Sequence, residues 1–166
     1  MWHYGRATAL FGKGRRTEAR YEQQQFEELR KNIDRNMPWG ADKAGEVMDL
    51  AEAVLDARLD SDPATAITKW RKAVEIQDQL TYFEPPPWYY PVRESLGAAL
   101  LRSGDAPTAE KVFREGLRRS PNNGRMLFGL RESLRAQHKT GESMWVEREF
   151  QKAWKNADLQ LRLEDL

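Results

Sequence analysis

Apolar residues recur along this chain at intervals of three and four, the spacing that lays them on one face of a helix. In residues 48–59, Met48, Ala51, Leu55 and Leu59 form one stripe, and Leu50, Ala53, Val54 and Ala57 widen it. A helix apolar over so much of its girth needs cover on two sides. Asp60-Ser61-Asp62-Pro63 follows, with Asp62 suited to cap a new helix and Pro63 to its first turn. The next helix carries Ala66, Trp70, Ala73 and Ile76 on one face. Nowhere do β-branched and polar residues alternate over several positions, so the pattern predicts an all-α chain without strands.

A longer period overlies this one. From Tyr90 onward come Leu96-Gly97, Leu100, Gly104, Ala109, Phe113, Gly116 and Pro121. That series resembles the tetratricopeptide repeat (TPR), a helix–turn–helix unit of about 34 residues. Leu96, Gly97, Ala109, Phe113 and Pro121 carry the match, while Arg93 and Leu100 stand where the repeat has Trp and Tyr. Gly97 and Ala109 let two helices cross closely, and Phe113 fills the space beside them. Leu50, Ala66, Trp70 and Ala73 fall into the same frame, as do Leu127, Leu130 and Leu134. Phe150 and Ala153 arrive three residues late, which predicts a longer turn over His138–Ser143. At the start Gly14 and Ala19 fit, with Gln23 in place of the packing aromatic. The segments MWHYGRA, EPPPWYYPVRESLGAALL and Phe150–Asp158 are similar to parts of longer bacterial TPR proteins. The resemblance implies a single domain over 1–166: a helical-repeat solenoid of about four hairpins (1–33, 47–80, 90–123, 124–160) with a C-terminal capping segment.

Two inserts interrupt the frame, 34–46 and 81–89, carrying NMPWG and TYFEPPPWY. Pro85 to Pro87 predict the end of the preceding helix and a stiff, polyproline-like bridge, and Pro91 suits the first turn of the next helix. Such a bridge holds Trp88, Tyr89 and Tyr90 in place. They either line the mouth of a groove or plug the gap that an insert opens. Loops grafted onto one face of a solenoid are a common place for binding function.

Composition narrows the chemistry. A net charge of +1 supplies no field for nucleic acid or an anionic membrane. No apolar run approaches the roughly 20 residues of a spanning helix, and the first residues lack the layout of a signal peptide, which favours a cytoplasmic location. With no cysteine there is no disulfide and no thiolate ligand, and His3 and His138 lie far apart, so neither metal nor cofactor is expected. Phe11-Gly12-Lys13-Gly14-Arg15-Arg16 lacks the strand and spacing of a phosphate loop and reads as an interhelical turn. His3 with Tyr4, partnered by Arg93 or Glu94, is a candidate acid–base pair, but no nucleophile elbow or metal-protease helix accompanies it. The chain is expected not to be an enzyme.

What the resemblance implies about function follows from register. In TPR superhelices the first helix of each unit lines the concave face, which points Tyr4, Thr8, Ala51, Leu55, Glu94, Ala98, Arg102, Phe128, Glu132 and Arg135 toward a groove. Chaperone-binding members grip a terminal carboxylate with Lys, Arg and Asn. Tyr4, Thr8, Glu94 and Ala98 stand there instead, which argues against a chaperone tail as ligand. The expected activity is a scaffold that receives a protein or peptide segment. Tyr4, Leu55, Phe128 and the Trp88–Tyr89–Tyr90 cluster would bury an apolar side chain, and Arg93, Arg102 and Arg135 would pair acidic groups beside Glu94 and Glu132. The alternative is a small-molecule pocket belonging to a larger, enzymatic protein. Met1 and Trp2 begin inside a helical pattern with no cap, which implies either upstream repeats or a homodimer in which a second copy covers that helix.

Overall fold

The computed structural model describes residues 1–166, in which eight α-helices follow one another as hairpins. They fall into two compact units, Met1–Val92 and Arg93–Leu166.

In the first unit α1 (Trp2–Gly12) packs on α2 (Arg16–Arg30), and α3 (Ala44–Leu59) on α4 (Pro63–Gln79). Helix α3 also touches α1 and α2, which supplies the two-sided cover its wide apolar girth demands. Val47, Leu50, Ala51, Val54 and Leu55 are fully buried there, and Trp70 and Ala73 close the seam from α4. Asp62 caps α4 by accepting the Thr65 amide at 2.8 Å, and Pro63 occupies the first turn, where a missing N–H costs nothing.

Two expectations need correction in this unit. The insert 34–46 contains a minimal antiparallel ladder, β1 (Pro38–Trp39) with β2 (Asp42–Lys43), turning through Gly40 at φ 64°. Strands of two residues have no alternation to read, so the pattern misses them. Helix α4 also stops at Gln79, well ahead of Pro85. There Leu80 becomes extended, and the Thr81 amide donates to the Asp42 carboxylate at 2.8 Å. The chain leaving α4 is thus held by the insert, and the prolines do not end the helix.

The second unit holds α5 (Arg93–Arg102), α6 (Ala106–Arg119), α7 (Gly124–Ala136), α8 (Thr140–Trp154) and a 3-10 turn at Leu163–Asp165. Phe113 of α6 is fully buried between Gly97 of α5 and Gly129 of α7. A Cβ on either glycine would overlap its ring. Three helices meet on one aromatic because two of them present no side chain at that point.

Three of the interhelical turns share one geometry. Gly14, Gly104 and His138 adopt left-handed φ values of 73°, 88° and 58°. The next amide then bonds back to the preceding helix: Arg15 N to Leu10 O at 2.9 Å, Asp105 N to Leu100 O at 2.9 Å, and Lys139 N to Leu134 O at 3.0 Å. This bond satisfies a carbonyl that the helix end leaves without an intrahelical donor. The longer turn predicted over His138–Ser143 therefore does not form, because α8 begins at Thr140. His138 stands where Gly104 stands one repeat earlier, and Ser143, not a late-arriving residue, takes the buried position of Ala109.

Candidate interaction surface

The aromatic cluster lies within the first unit. Trp88 meets the Tyr4 ring edge-on, centroids 5.4 Å apart, and lies 5.3 Å from Tyr89 and 6.4 Å from Tyr90. Tyr89 and Tyr90 are 4.8 Å apart, and Tyr4 leans on Phe26 of α2 at 6.4 Å. The Tyr4 and Tyr89 hydroxyls share a hydrogen bond of 2.9 Å. Burial, reinforced by that bond, raises the Tyr4 pKa far above the ordinary phenol range, so its proton stays on.

Polar side chains from α3 and α4 fix the loop from behind. Arg58 donates to the Tyr90 hydroxyl at 3.2 Å and lies over the Trp70 ring at 5.6 Å. Gln77 donates to the Tyr90 carbonyl at 2.9 Å and accepts the Val92 amide at 2.8 Å, locking the backbone that follows the prolines. The structure thus brings together the predicted Tyr4, Trp88, Tyr89 and Tyr90. It adds Phe26, Arg58 and Gln77, which the sequence reading missed. For Arg58 the signal was present: it lies one helical turn beyond Leu55 on α3, where the register argument stopped.

Within the cluster, burial and exposure alternate. Trp88 and Tyr4 are buried, whereas Tyr89 is 67% exposed, and Tyr82 and Phe83 of the same loop are exposed too. Two buried donors, Trp88 Nε1 and Arg58 Nε, have no hydrogen-bond acceptor. Buried polar groups are normally paired, so two unmatched donors around a common neighbour, Tyr90, require an explanation.

The other predicted site residues separate by environment. Leu55 is fully buried in α3, as are Ala51 and, in α5, Ala98, so none of them faces a groove. Glu94 is also a correction: it is 1% exposed and bonds Arg125 Nε at 2.6 Å and Asn123 Nδ2 at 3.1 Å. Burial raises its pKa although both partners favour the charged form. Phe128 is buried 5.9 Å from Phe150, with Arg131 over both rings. Arg135 pairs with Glu132 at 3.1 Å and with Glu147 at 3.0 Å. Arg102 is exposed and donates to the Leu163 carbonyl at 3.3 Å, and Arg93 is half-buried in the first turn of α5. Register assigns a face to one helix; it does not know which neighbour will cover that face.

His3 binds Glu22 at 2.7 Å, where Arg6 also reaches at 3.2 Å, while Tyr4 turns to Tyr89. The two form no acid–base pair. A cleft of about 510 Å³ between α3 and α4 is lined by Glu46, Asp49, Glu52, Asp56 and Lys72. Arg30 and Arg35 already bond Asp49, at 2.8 and 2.7 Å, and Gln23 bonds Asp56 at 2.5 Å. No three histidine or carboxylate side chains converge to hold a metal ion, and no helix is long and apolar enough to cross a membrane. No family model matches the chain, and no curated protein or solved structure is significantly similar to it.

Proposed function

We propose that this chain is a non-catalytic protein-interaction scaffold of the TPR type, binding a peptide or partner segment at the Trp88–Tyr90 cluster. The observation that carries this reading is the pair of buried donors, Trp88 Nε1 and Arg58 Nε, set without acceptors beside an exposed Tyr89. Each unmatched buried donor costs about 1–3 kcal/mol. A ligand that brings a carbonyl or carboxylate recovers part of that cost. Tyr89 offers a ring face and a hydroxyl at little entropic expense, since a tyrosine has only two side-chain torsions and the loop behind it is pinned by Gln77. Neither Arg58 nor Trp88 bonds a carboxylate of the chain itself, so the fitting ligand is acidic or offers main-chain carbonyls next to an aromatic, aliphatic or proline side chain. The TPR assignment is supported by the shared left-handed turns and by Phe113 seated between two glycines.

The test is an array of short peptides probed with the labelled chain. Peptides with a carboxylate beside an apolar residue should bind. Tyr89→Ala should weaken the best binder about tenfold, or about 1.4 kcal/mol, with helicity unchanged. Tyr89→Phe should keep most of the affinity. Equal binding by the alanine variant would leave the cluster a packing device. Trp88→Ala is the poorer probe, since truncating a side chain only 3% exposed also costs stability.

A further inference from the structure

Helix α8 carries a face that no other part of the chain covers. Trp145, Arg148, Lys152 and Lys155 recur at intervals of three and four, which sets them in one stripe, with Met144 and Gln151 beside it. All six are exposed, Met144 by 61% and Trp145 by 58%. Lys155, the C-terminal cap, keeps helical backbone and so continues the stripe. The acids of the helix are already engaged. Glu142 pairs with Arg114 at 2.6 Å, Glu147 with Arg131 and Arg135 at 3.0 Å each, and Glu149 with Lys152 at 2.8 Å. Arg148 and Lys155 have no acidic partner. Cations suit the C-terminal half of a helix through its dipole, which accounts for the charge. It does not account for an indole and a thioether left in water at the head of the same stripe.

The occupant of such a face must bring negative charge and accept an indole. A second copy of the same face is disfavoured, because it would set cations against cations. A protein partner fits less well, since lysine is depleted in protein interfaces. An anionic lipid surface fits every feature. It attracts each lysine and arginine, whose stems lie along apolar surface while the charged heads stay in water, and tryptophan settles at headgroup level. We propose that this face of α8 docks the chain on an anionic bilayer surface, with the helix lying on the membrane and not crossing it. The expectation of no membrane partner rests on the net charge of +1, which averages this face with acids elsewhere in the chain. Attachment is reversible, because one indole and three cations hold far less firmly than a spanning helix. The proposal goes beyond the peptide reading and shares no residue with the Trp88–Tyr90 cluster.

The test sediments the full chain with vesicles of phosphatidylglycerol and phosphatidylcholine in equal parts, or of phosphatidylcholine alone. The chain should bind the anionic vesicles at about 50 mM salt and leave them at about 500 mM, where the screening length falls to about 4 Å. Neutral vesicles should not retain it. Arg148→Glu with Lys152→Glu should weaken partitioning by about twentyfold or more. Trp145→Ala should weaken it about fivefold. Arg71→Glu with Lys111→Glu changes the net charge equally at exposed positions on α4 and α6, and should cost less than about threefold. Three results would each overturn the proposal: no binding of the parent chain to anionic vesicles, equal binding to neutral ones, or equal loss from the two charge-reversed pairs. Should Arg148→Glu with Lys152→Glu lose helicity, Lys152→Gln with Lys155→Gln takes its place, with a loss of about tenfold expected. The Tyr89 peptide test reads the other unit, so either proposal can fail alone.

Discussion

Replacing Glu110 by glutamine should destabilise the second unit at neutral pH and have little effect in acid. Glu110 lies on α6, 9% exposed, and accepts from Arg114 Nε at 2.9 Å, Gln137 Nε2 at 2.8 Å and Lys139 Nζ at 2.7 Å. Gln137 and Lys139 flank His138, so one carboxylate fastens the α7–α8 turn to α6. Burial alone would raise its pKa. The bonds from Lys139, Gln137 and Arg114 outweigh burial and hold it at about 2, against 4.5 for a free glutamate. A depressed pKa means the stabilisation is complete above pH 4.5 and is lost as pH falls toward 2. Within that window the unfolded chain binds one more proton than the folded chain, a slope of about 1.4 kcal/mol per pH unit. The whole window amounts to about 3 kcal/mol, a ceiling, because Lys139 and Arg114 are 40% and 44% exposed and solvent screens them. Urea unfolding followed by circular dichroism at pH 6, 4 and 2.5 measures the difference between the parent chain and Glu110→Gln. It should be about 2–3 kcal/mol at pH 6 and should fall below about 1 kcal/mol at pH 2.5. A difference that is the same at every pH would refute the argument, since it would owe nothing to the charge.

Other outcomes follow from backbone and packing. Gly129→Ala places a methyl group against the buried Phe113 ring and should cost about 1–3 kcal/mol, read from the same urea curves; an unchanged midpoint would mean α7 shifts freely. His138→Gly relieves a left-handed residue and should stabilise by about 0.5–1 kcal/mol, because the penalty of about 1–2 kcal/mol exceeds the entropic cost of glycine. A lowered melting temperature would show that the imidazole makes a contact that offsets the strain.

Much of the architecture was legible because it rests on local rules. Asp62-Pro63 marks a helix start through capping chemistry that needs no neighbour, and the stripe over 48–59 announces a helix covered on two sides. The turn at His138 was expected to be longer because Phe150 and Ala153 arrive late, but α8 begins at Thr140 and histidine adopts there the left-handed backbone of which glycine is the visible sign. The aromatic cluster was half legible. Proline spacing indicated that Trp88, Tyr89 and Tyr90 would be held still, but not that Trp88 would be buried and Tyr89 exposed.

Helix identity and the caps are properties of a few adjacent residues, and the repeat spacing is a periodicity along the chain, so the sequence states them directly. Which side of each helix remains available is a property of pairs distant in the chain. Leu55 and Glu94 were expected to face a groove and are buried, while Arg58, one turn further along α3, reaches Tyr90. The last residues show the same division: a capping segment was expected there, but folding alone brings Ser95, Arg102 and Arg125 to the main-chain oxygens of Leu166, Leu163 and Asp165. Burial and hydrogen-bond partnership depend on how helices pack across long sequence separations, and no local pattern encodes that.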